Sequence, residues 1–182
     1  PERVPAASTG VTVQTMSGIN PRTGAFYVYN ESMGGGMGAR AALDGLDGVH
    51  VNTTNSANIP IEALETEHPL RVEAYELVQD SGGPGRFRGG MAIRRKISPV
   101  GHAATANLGG PLTRIPAWGL DGGHDGSLSH IEMSAGAAAL KERNGVLTDG
   151  QSAAVHTSGG GGQGDPKLRD RDLVRRDLRE GR

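Results

Sequence analysis

Asp80-Ser81-Gly82-Gly83-Pro84-Gly85-Arg86-Phe87-Arg88-Gly89-Gly90 places five glycines, a proline, an acid and two arginines in eleven residues. Before it, Leu70 to Val78 alternates apolar and charged residues like a half-buried strand; Val72, Ala74 and Leu77 are its apolar members. After it, Gly90 to Ser98 spaces Met91, Ile93 and Ile97 with basic residues and reads as a second strand. Glycine at this density relaxes the φ/ψ limits and lets backbone approach a partner closely, at a high entropic cost. The expectation is a strand–turn–strand corner in which Asp80 pairs with Arg86 or Arg88. Two guanidiniums around one carboxylate leave a positive charge over. The spare arginine is expected to face a polar cleft shared with Arg40 or His50, where a planar oxyanion would fit. The plain alternative is a tight turn with an Asp80–arginine salt bridge and no further role.

Asp80-Ser81-Gly82-Gly83-Pro84 also resembles the surroundings of the nucleophile in chymotrypsin-like proteases. That chemistry requires a histidine base oriented by a buried carboxylate. Only His50 and His68 precede Ser81, and neither has the required context.

The 182 residues suffice for one domain with a real core. A net charge of −1 gives no nucleic-acid footprint. With no cysteine, disulfide scaffolds and thiolate metal sites are excluded, and a cytoplasmic location is expected. No apolar run approaches the ~18 residues of a membrane span, and no leader-like segment opens the chain. Asn30-Glu31-Ser32 and Asn52-Thr53-Thr54 match the glycosylation pattern by chance. Thirty glycines without a period exclude collagen and point to tight turns and close backbone approach. Apolar residues make up 35%, the chain opens at Pro1, and an arginine-rich helix closes it. A fragment of a larger subunit is expected, its core completed by further sequence or a partner.

Outward from the glycine segment, Val11 to Val13 and Ala25 to Asn30 read as strands, and Ile61 to Glu67 as a short helix bounded by Pro60 and Pro69. Ala103 to Leu108, Ser129 to Met133, Gly145 to Leu147 and Ser152 to Thr157 read as further strands. Ala135 to Lys141 is alanine-rich, but Gly136 makes a helix there doubtful. Asp170 is placed to cap a helix over Arg171 to Arg179, with Leu173, Val174 and Leu178 as its apolar stripe and Gly181 as its stop. Many short strands, glycine-rich loops and a C-terminal helix make a β-rich α+β chain.

The first glycine run, Gly34-Gly35-Gly36-Met37-Gly38-Ala39-Arg40, superficially fits a dinucleotide fingerprint. Asp44-Gly45 cuts off the helix that such a site needs. Gly36 or Gly38 is expected in a backbone conformation closed to other residues. No Gly-Lys-Ser/Thr marks a P-loop. His50, His68, His102, His124, His130 and His156 fall at no ligand spacing, so no metal site is expected. Gly34, Gly36, Gly38, Gly82, Gly83, Gly89 and Gly90 are structural glycines, and Arg40, His50, Asp80, Arg86 and Arg88 are substrate-binding candidates. No catalytic residue is assigned.

Ordered blocks span almost the whole chain: Arg3-Val4-Pro5-Ala6-Ala7-Ser8; Gly34 to Arg40 with Asp44-Gly45-x-Asp47-Gly48-Val49-His50; Asn55-x-x-Asn58-x-Pro60-Ile61-Glu62-x-x-Glu65; Pro69 to Leu77; Asp80 to Gly90; Pro116-x-Trp118-Gly119-Leu120; and Gly159-Gly160-Gly161-Gly162-x-Gly164-Asp165-Pro166. In this order they resemble the C-terminal part of a hydantoinase B/oxoprolinase subunit, over residues 1–182. The resemblance implies joint work with a hydantoinase A-type subunit or domain in a hetero-oligomer. That partner uses ATP to phosphorylate a small cyclic amide or an enolate, and the B-type part takes the activated intermediate. It implies ATP-dependent cyclic amide hydrolysis, of hydantoin, 5-oxoproline or a related lactam, with ATP-dependent ketone carboxylation as the alternative. A divalent metal is implied in an N-terminal part that this chain lacks, so the chain alone is expected to be catalytically incomplete. Gly109-Gly110-Pro111-Leu112-Thr113-Arg114 keeps one arginine where the family has an Asp-Arg-rich run, and Gln163 stands where an aromatic is common. The rival readings are a non-catalytic scaffold and a degenerate paralogue.

Overall fold

Alternation of inward apolar and outward polar side chains runs through much of this chain, and most of those stretches become strands. The computed structural model describes residues 4–51, 54–110, 114–136 and 143–182. Among them lie β1 (Thr12–Ile19), β2 (Phe26–Met33), α1 (Ile61–Glu67), β3 (Leu70–Leu77), β4 (Ile93–Pro99), β5 (Ala104–Gly109), β6 (His130–Met133), β7 (Asn144–Leu147), β8 (Ala153–His156) and α2 (Arg171–Glu180). The class is the expected one, strand-rich with a C-terminal helix. Strand β1 runs well beyond Val11–Val13, because its inward residues Gln14 and Met16 alternate with Thr15 and Ser17, a pattern weak in β-branched and aromatic residues. Most of the doubtful helix falls at 137–142, outside the described residues, as do Asn52, Thr53 and 111–113.

Two four-stranded antiparallel sheets form, in the orders β2-β1-β5-β7 and β3-β4-β8-β6. Their inner faces share one core. Met16, Tyr27, Tyr29, Ala106, Leu108 and Leu147 come from the first sheet; Leu70, Ile97, Ala153 and Val155 come from the second. Leu64 of α1 joins them, fully buried. This is face-to-face sheet packing, with alternate residues of each strand facing the other layer. Between the layers lies a buried polar pair. Arg95, on the inner face of β4, donates to Glu31 of β2, which also accepts from the Tyr29 hydroxyl and the Ile59 N–H. A bulge in β3 between Val72 and Ala74 shifts the pairing register, so Tyr75 lies opposite Arg95 and its ring centre sits 5.0 Å from that guanidinium.

Beside the sandwich, the glycine runs build a second body without sheet or helix. Segments near residues 36–38, 45, 82–90, 119–126 and 159–162 pass one another backbone to backbone. Their hydrogen bonds cross between segments: Gly36 N–H to Ser158 O at 3.0 Å, Gly90 N–H to Met37 O at 2.8 Å, Gly160 N–H to Gly90 O at 2.9 Å, and Gly83 N–H to Gly160 O at 2.8 Å. A Cβ on Gly36 would lie 2.1 Å from both Gly160 N and Gly90 O. Glycine is required here by contact and not by dihedral angle. Neither Gly36 nor Gly38 has positive φ, which corrects the expectation of a special backbone conformation.

Helix α2 closes the chain against this layer. Asp170 caps it as expected, accepting from Asp172 N–H at 2.7 Å and Leu173 N–H at 3.4 Å. Gly181 ends it in the left-handed region, with φ of 67°. The face it buries differs from the expected one. Leu178 is 76% exposed and Asp177 is the buried residue, because α2 docks through ion pairs. No helix among the described residues is long and apolar enough to cross a membrane.

Candidate functional site

The two Asp-Gly steps, Asp44-Gly45 and Asp47-Gly48, hold their carboxylates under the C-terminal helix. Asp47 receives both terminal nitrogens of Arg88, at 2.8 and 3.2 Å, and the N–H of Met91 at 2.8 Å. Asp44 receives both terminal nitrogens of Arg169, at 2.8 and 2.9 Å, and the N–H of Arg88 at 2.9 Å. Asp177 of α2 joins the two forks, 3.4 Å from Arg88 Nε and 2.6 Å from Arg169 Nη2. Arg182 adds a 2.6 Å contact to Asp47. Four arginines (Arg88, Arg169, Arg176, Arg182) thus meet three aspartates (Asp44, Asp47, Asp177), and Glu180, paired with Arg182, brings the network to charge balance.

Burial pushes the Asp44 and Asp47 carboxyls up. The guanidiniums and backbone N–H groups around them more than offset this, holding both below the ordinary aspartate range. Burial likewise works against the Arg88 cation, but Asp47, Asp177 and Asp44 leave it more firmly protonated than usual. Residues with so many charge-assisted bonds behave as structural clamps.

Above this network lies a cleft of about 430 Å³, lined by Arg40, Leu43, Asp44, Phe87, Arg88 and Arg176 among others. Arg40 stands differently from its neighbours. A tight turn pairs its backbone with Leu43, Arg40 N–H to Leu43 O at 2.9 Å. Its Nη2 reaches only the Asp44 carbonyl, at 3.5 Å. Its Nε is buried with no hydrogen-bond partner, and among the described residues it pairs with no carboxylate. A guanidinium held at a cleft with unused donors is suited to a carboxylate or phosphate.

The sequence-expected residues divide accordingly. Arg40 and Arg88 share the cleft, as expected, but Arg88 is already engaged by aspartates. Asp80 pairs with neither arginine: it is exposed, with φ of 56°, and no ion pair among the described residues includes it. Arg86 is exposed too, its guanidinium 5.5 Å from the Phe87 ring centre. His50 lines a separate cleft with Asn58 and Tyr75, and contacts Asn58 at 3.2 Å and Ser56 at 3.5 Å. Gly36, Gly38, Gly82, Gly83, Gly89 and Gly90 lie in the backbone-packed layer, where an added Cβ would meet backbone within 2.3 Å. Gly34 stands at its edge against Val49 and Gly48, at 2.9 Å and beyond.

Sequence reasoning missed Asp177, Arg169 and Arg182. One signal was available: Asp177 lies four residues after Leu173, so an acid interrupts the apolar stripe of an amphipathic helix. Also unforeseen is a cross-strand group. His130, Glu132 and His156 each bring a ligand-type atom within 4.8 Å of the others, although their sequence spacing fits no metal motif.

Residues 1–166 match the Hydantoinase B/oxoprolinase family. An uncharacterised protein of Methanocaldococcus jannaschii is 38% identical over 99% of this chain and 31% of its own length. The caprolactamase subunit beta of Pseudomonas jessenii is 31% identical over 100% of this chain and 33% of its own length. A chain of the solved ATP-dependent caprolactamase from that organism superposes with a TM-score of 0.77 at 26% identity, covering 100% of this chain and 34% of that one. A chain of nucleotide-free acetone carboxylase has the same fold, with a TM-score of 0.77 at 22% identity over 99% of this chain and 29% of that one. The chain therefore spans about a third of the length of the curated relatives it matches.

Proposed function

Because this chain belongs to the hydantoinase B/oxoprolinase family, we propose that it is part of an ATP-dependent hydrolase of cyclic amides, working with a hydantoinase A-type partner. Its place, on this reading, is the C-terminal part of the B-type subunit. The observation that carries the proposal is the 31% identity, over the whole chain, to a subunit of an enzyme named for a lactam. ATP is consumed by the partner, and this chain receives what the partner activates.

Opening a cyclic amide adds water across the C–N bond and leaves a carboxylate and an amine. An intermediate activated by phosphorylation is also anionic. Arg40 offers such a group a buried, unused donor at the cleft, and the ion network below it holds the cleft walls in place. Guanidinium donors preset at the position of developing negative charge stabilise it without reorganisation. Phe87 and Leu43 supply apolar wall against a ring.

Co-expression of the whole protein with its A-type partner, assayed with ATP against caprolactam, hydantoin and 5-oxoproline, tests the reading. ATP-dependent release of the ring-opened acid from at least one is expected. Turnover of acetone with bicarbonate, and of none of the three amides, would replace hydrolysis by carboxylation. No ATP-dependent reaction with any substrate would leave the scaffold reading in its place.

A further inference from the structure

The outer face of the second sheet carries a row of charged and imidazole side chains from four neighbouring strands. Glu76 on β3 lies opposite Arg94 on β4, Arg94 opposite His156 on β8, and His156 opposite His130 on the edge strand β6. Glu132, two residues after His130, faces the same side of β6 by strand alternation. None of these residues belongs to the cleft around Arg40.

His156 Nε2 is claimed by two groups with opposite needs. It lies 3.2 Å from Arg94 Nε and 2.8 Å from Glu132 Oε1. The arginine nitrogen can only donate, and the carboxylate can only accept. If Nε2 carries a proton, it satisfies Glu132 and confronts the Arg94 N–H. If it carries a lone pair, it satisfies Arg94 and confronts the Glu132 lone pairs. His156 is 9% exposed, and its Nδ1 is buried without a partner, so neither tautomer satisfies the ring. The His130 ring stacks on it at 3.8 Å between centroids.

From this arrangement we infer that His130, Glu132 and His156 form a binding site for a first-row divalent cation of the zinc type. A cation accepts the lone pairs of Nε2 and Oε1 together, which removes the conflict. Metal–nitrogen and metal–oxygen bonds of about 2.0–2.1 Å place two ligand atoms on one ion roughly 3 Å apart, close to the 2.8 Å between His156 and Glu132. His130 has its ligand atom within the same 4.8 Å group and needs only a side-chain adjustment to complete the set. Two imidazoles with one carboxylate suit zinc and its neighbours over magnesium or calcium, which prefer all-oxygen sites. The local charge agrees: Glu76 and Glu132 outweigh Arg94 by one. On metal binding Arg94 gives up His156 and keeps Glu76, now 2.9 Å away, and its 3.5 Å contact with Oε2 of Glu132, the oxygen turned away from His156. A bound ion would tie the edge strand β6 to β8 and cover part of an open sheet edge.

The test measures zinc bound per chain by equilibrium dialysis of the whole protein, in parent, His130→Gln and Glu132→Gln forms. Cobalt absorption in the visible range reports the ligand set. Both substituted residues are exposed, and circular dichroism confirms that each variant is folded. The parent is expected to bind one more equivalent than either variant, and the cobalt band of that equivalent is lost in both. Zinc raises the melting temperature of the parent by more than that of the variants. Equal stoichiometry in parent and either folded variant, or no binding here tighter than about 1 mM, overturns the inference. A metal held elsewhere in the protein contributes equally to all three forms and leaves the difference unaffected.

Discussion

Arg88 donates both terminal nitrogens to the two carboxylate oxygens of Asp47, at 2.8 and 3.2 Å, and not to Asp80, its neighbour in sequence. The side chains of this pair are 9% and 12% exposed. The pair ties the segment after Asp80 to the Asp-Gly turns, and Asp177 extends the tie to α2.

Breaking that pair leaves buried Asp47 with only the more exposed Arg182 as its cationic partner and takes one of two arginines from Asp177. Arg88→Ala is expected to cost about 3–5 kcal/mol of stability, read by urea denaturation, with activity lost in proportion to folded protein. A variant with parental stability and no turnover would return Arg88 to the list of substrate-binding groups.

Arg40 should behave in the opposite way. Arg40→Gln removes no ion pair, so stability is expected to change by less than about 1 kcal/mol. Turnover in the reconstituted complex is expected to fall at least tenfold, or about 1.4 kcal/mol in the barrier. Unchanged kcat and KM would take Arg40 out of the site.

The glycine layer predicts a contrast between two alanine substitutions. Gly101 has φ of 68° and open space where a Cβ would go, so Gly101→Ala should cost about 1–2 kcal/mol of backbone strain. Gly36→Ala would drive a methyl group to 2.1 Å from two backbone atoms. A loss of about 3 kcal/mol or more is expected, since rigid backbone on both sides cannot yield as side chains do. Equal losses in a denaturant series would mean that the layer is loosely packed.

Acid should loosen the α2 contact. The native Asp44 and Asp47 carboxyls titrate below their ordinary value of 3.8, so unfolded chain takes up protons first as pH falls. Their contribution is fully present well above pH 3.8 and is lost as pH drops through the depressed native values. Protection of α2 amides, as the exchange rate relative to that of unfolded chain at the same pH, should therefore fall below pH 3.8, and Asp44→Asn should remove part of that dependence. Protection of α2 that stays constant down to pH 2 would show that the carboxylates are not what holds it.

Much of the architecture was legible because it is local. Helix α1 ends where Pro60 and Pro69 require, α2 begins at its Asp170 cap and stops at Gly181, and β3 and β4 flank the glycine segment as their alternation suggests. The apolar stripe of α2 was misread, because Asp177 counts as polar until its partners Arg88 and Arg169 are known. In the site, Arg40 and Arg88 were correctly drawn to one cleft, while Asp80 and His50 were drawn to it by chain proximity and motif alone.

The amino-acid sequence by itself determined the strand-rich class, both helices and the family, since propensity, capping and ordered motif blocks are carried by near neighbours along the chain. Which charges meet was decided only by tertiary structure. Arg88 reaches Asp47 and Asp177 across 41 and 89 residues, and Arg169 reaches Asp44 across 125. Electrostatic attraction acts through space, and guanidinium side chains are long, so the partner is set by how sheets, glycine layer and helix stack. The same holds for the glycines: composition announces that backbone comes close, but only the packed layer shows that Gly36 faces Gly160 and Gly90.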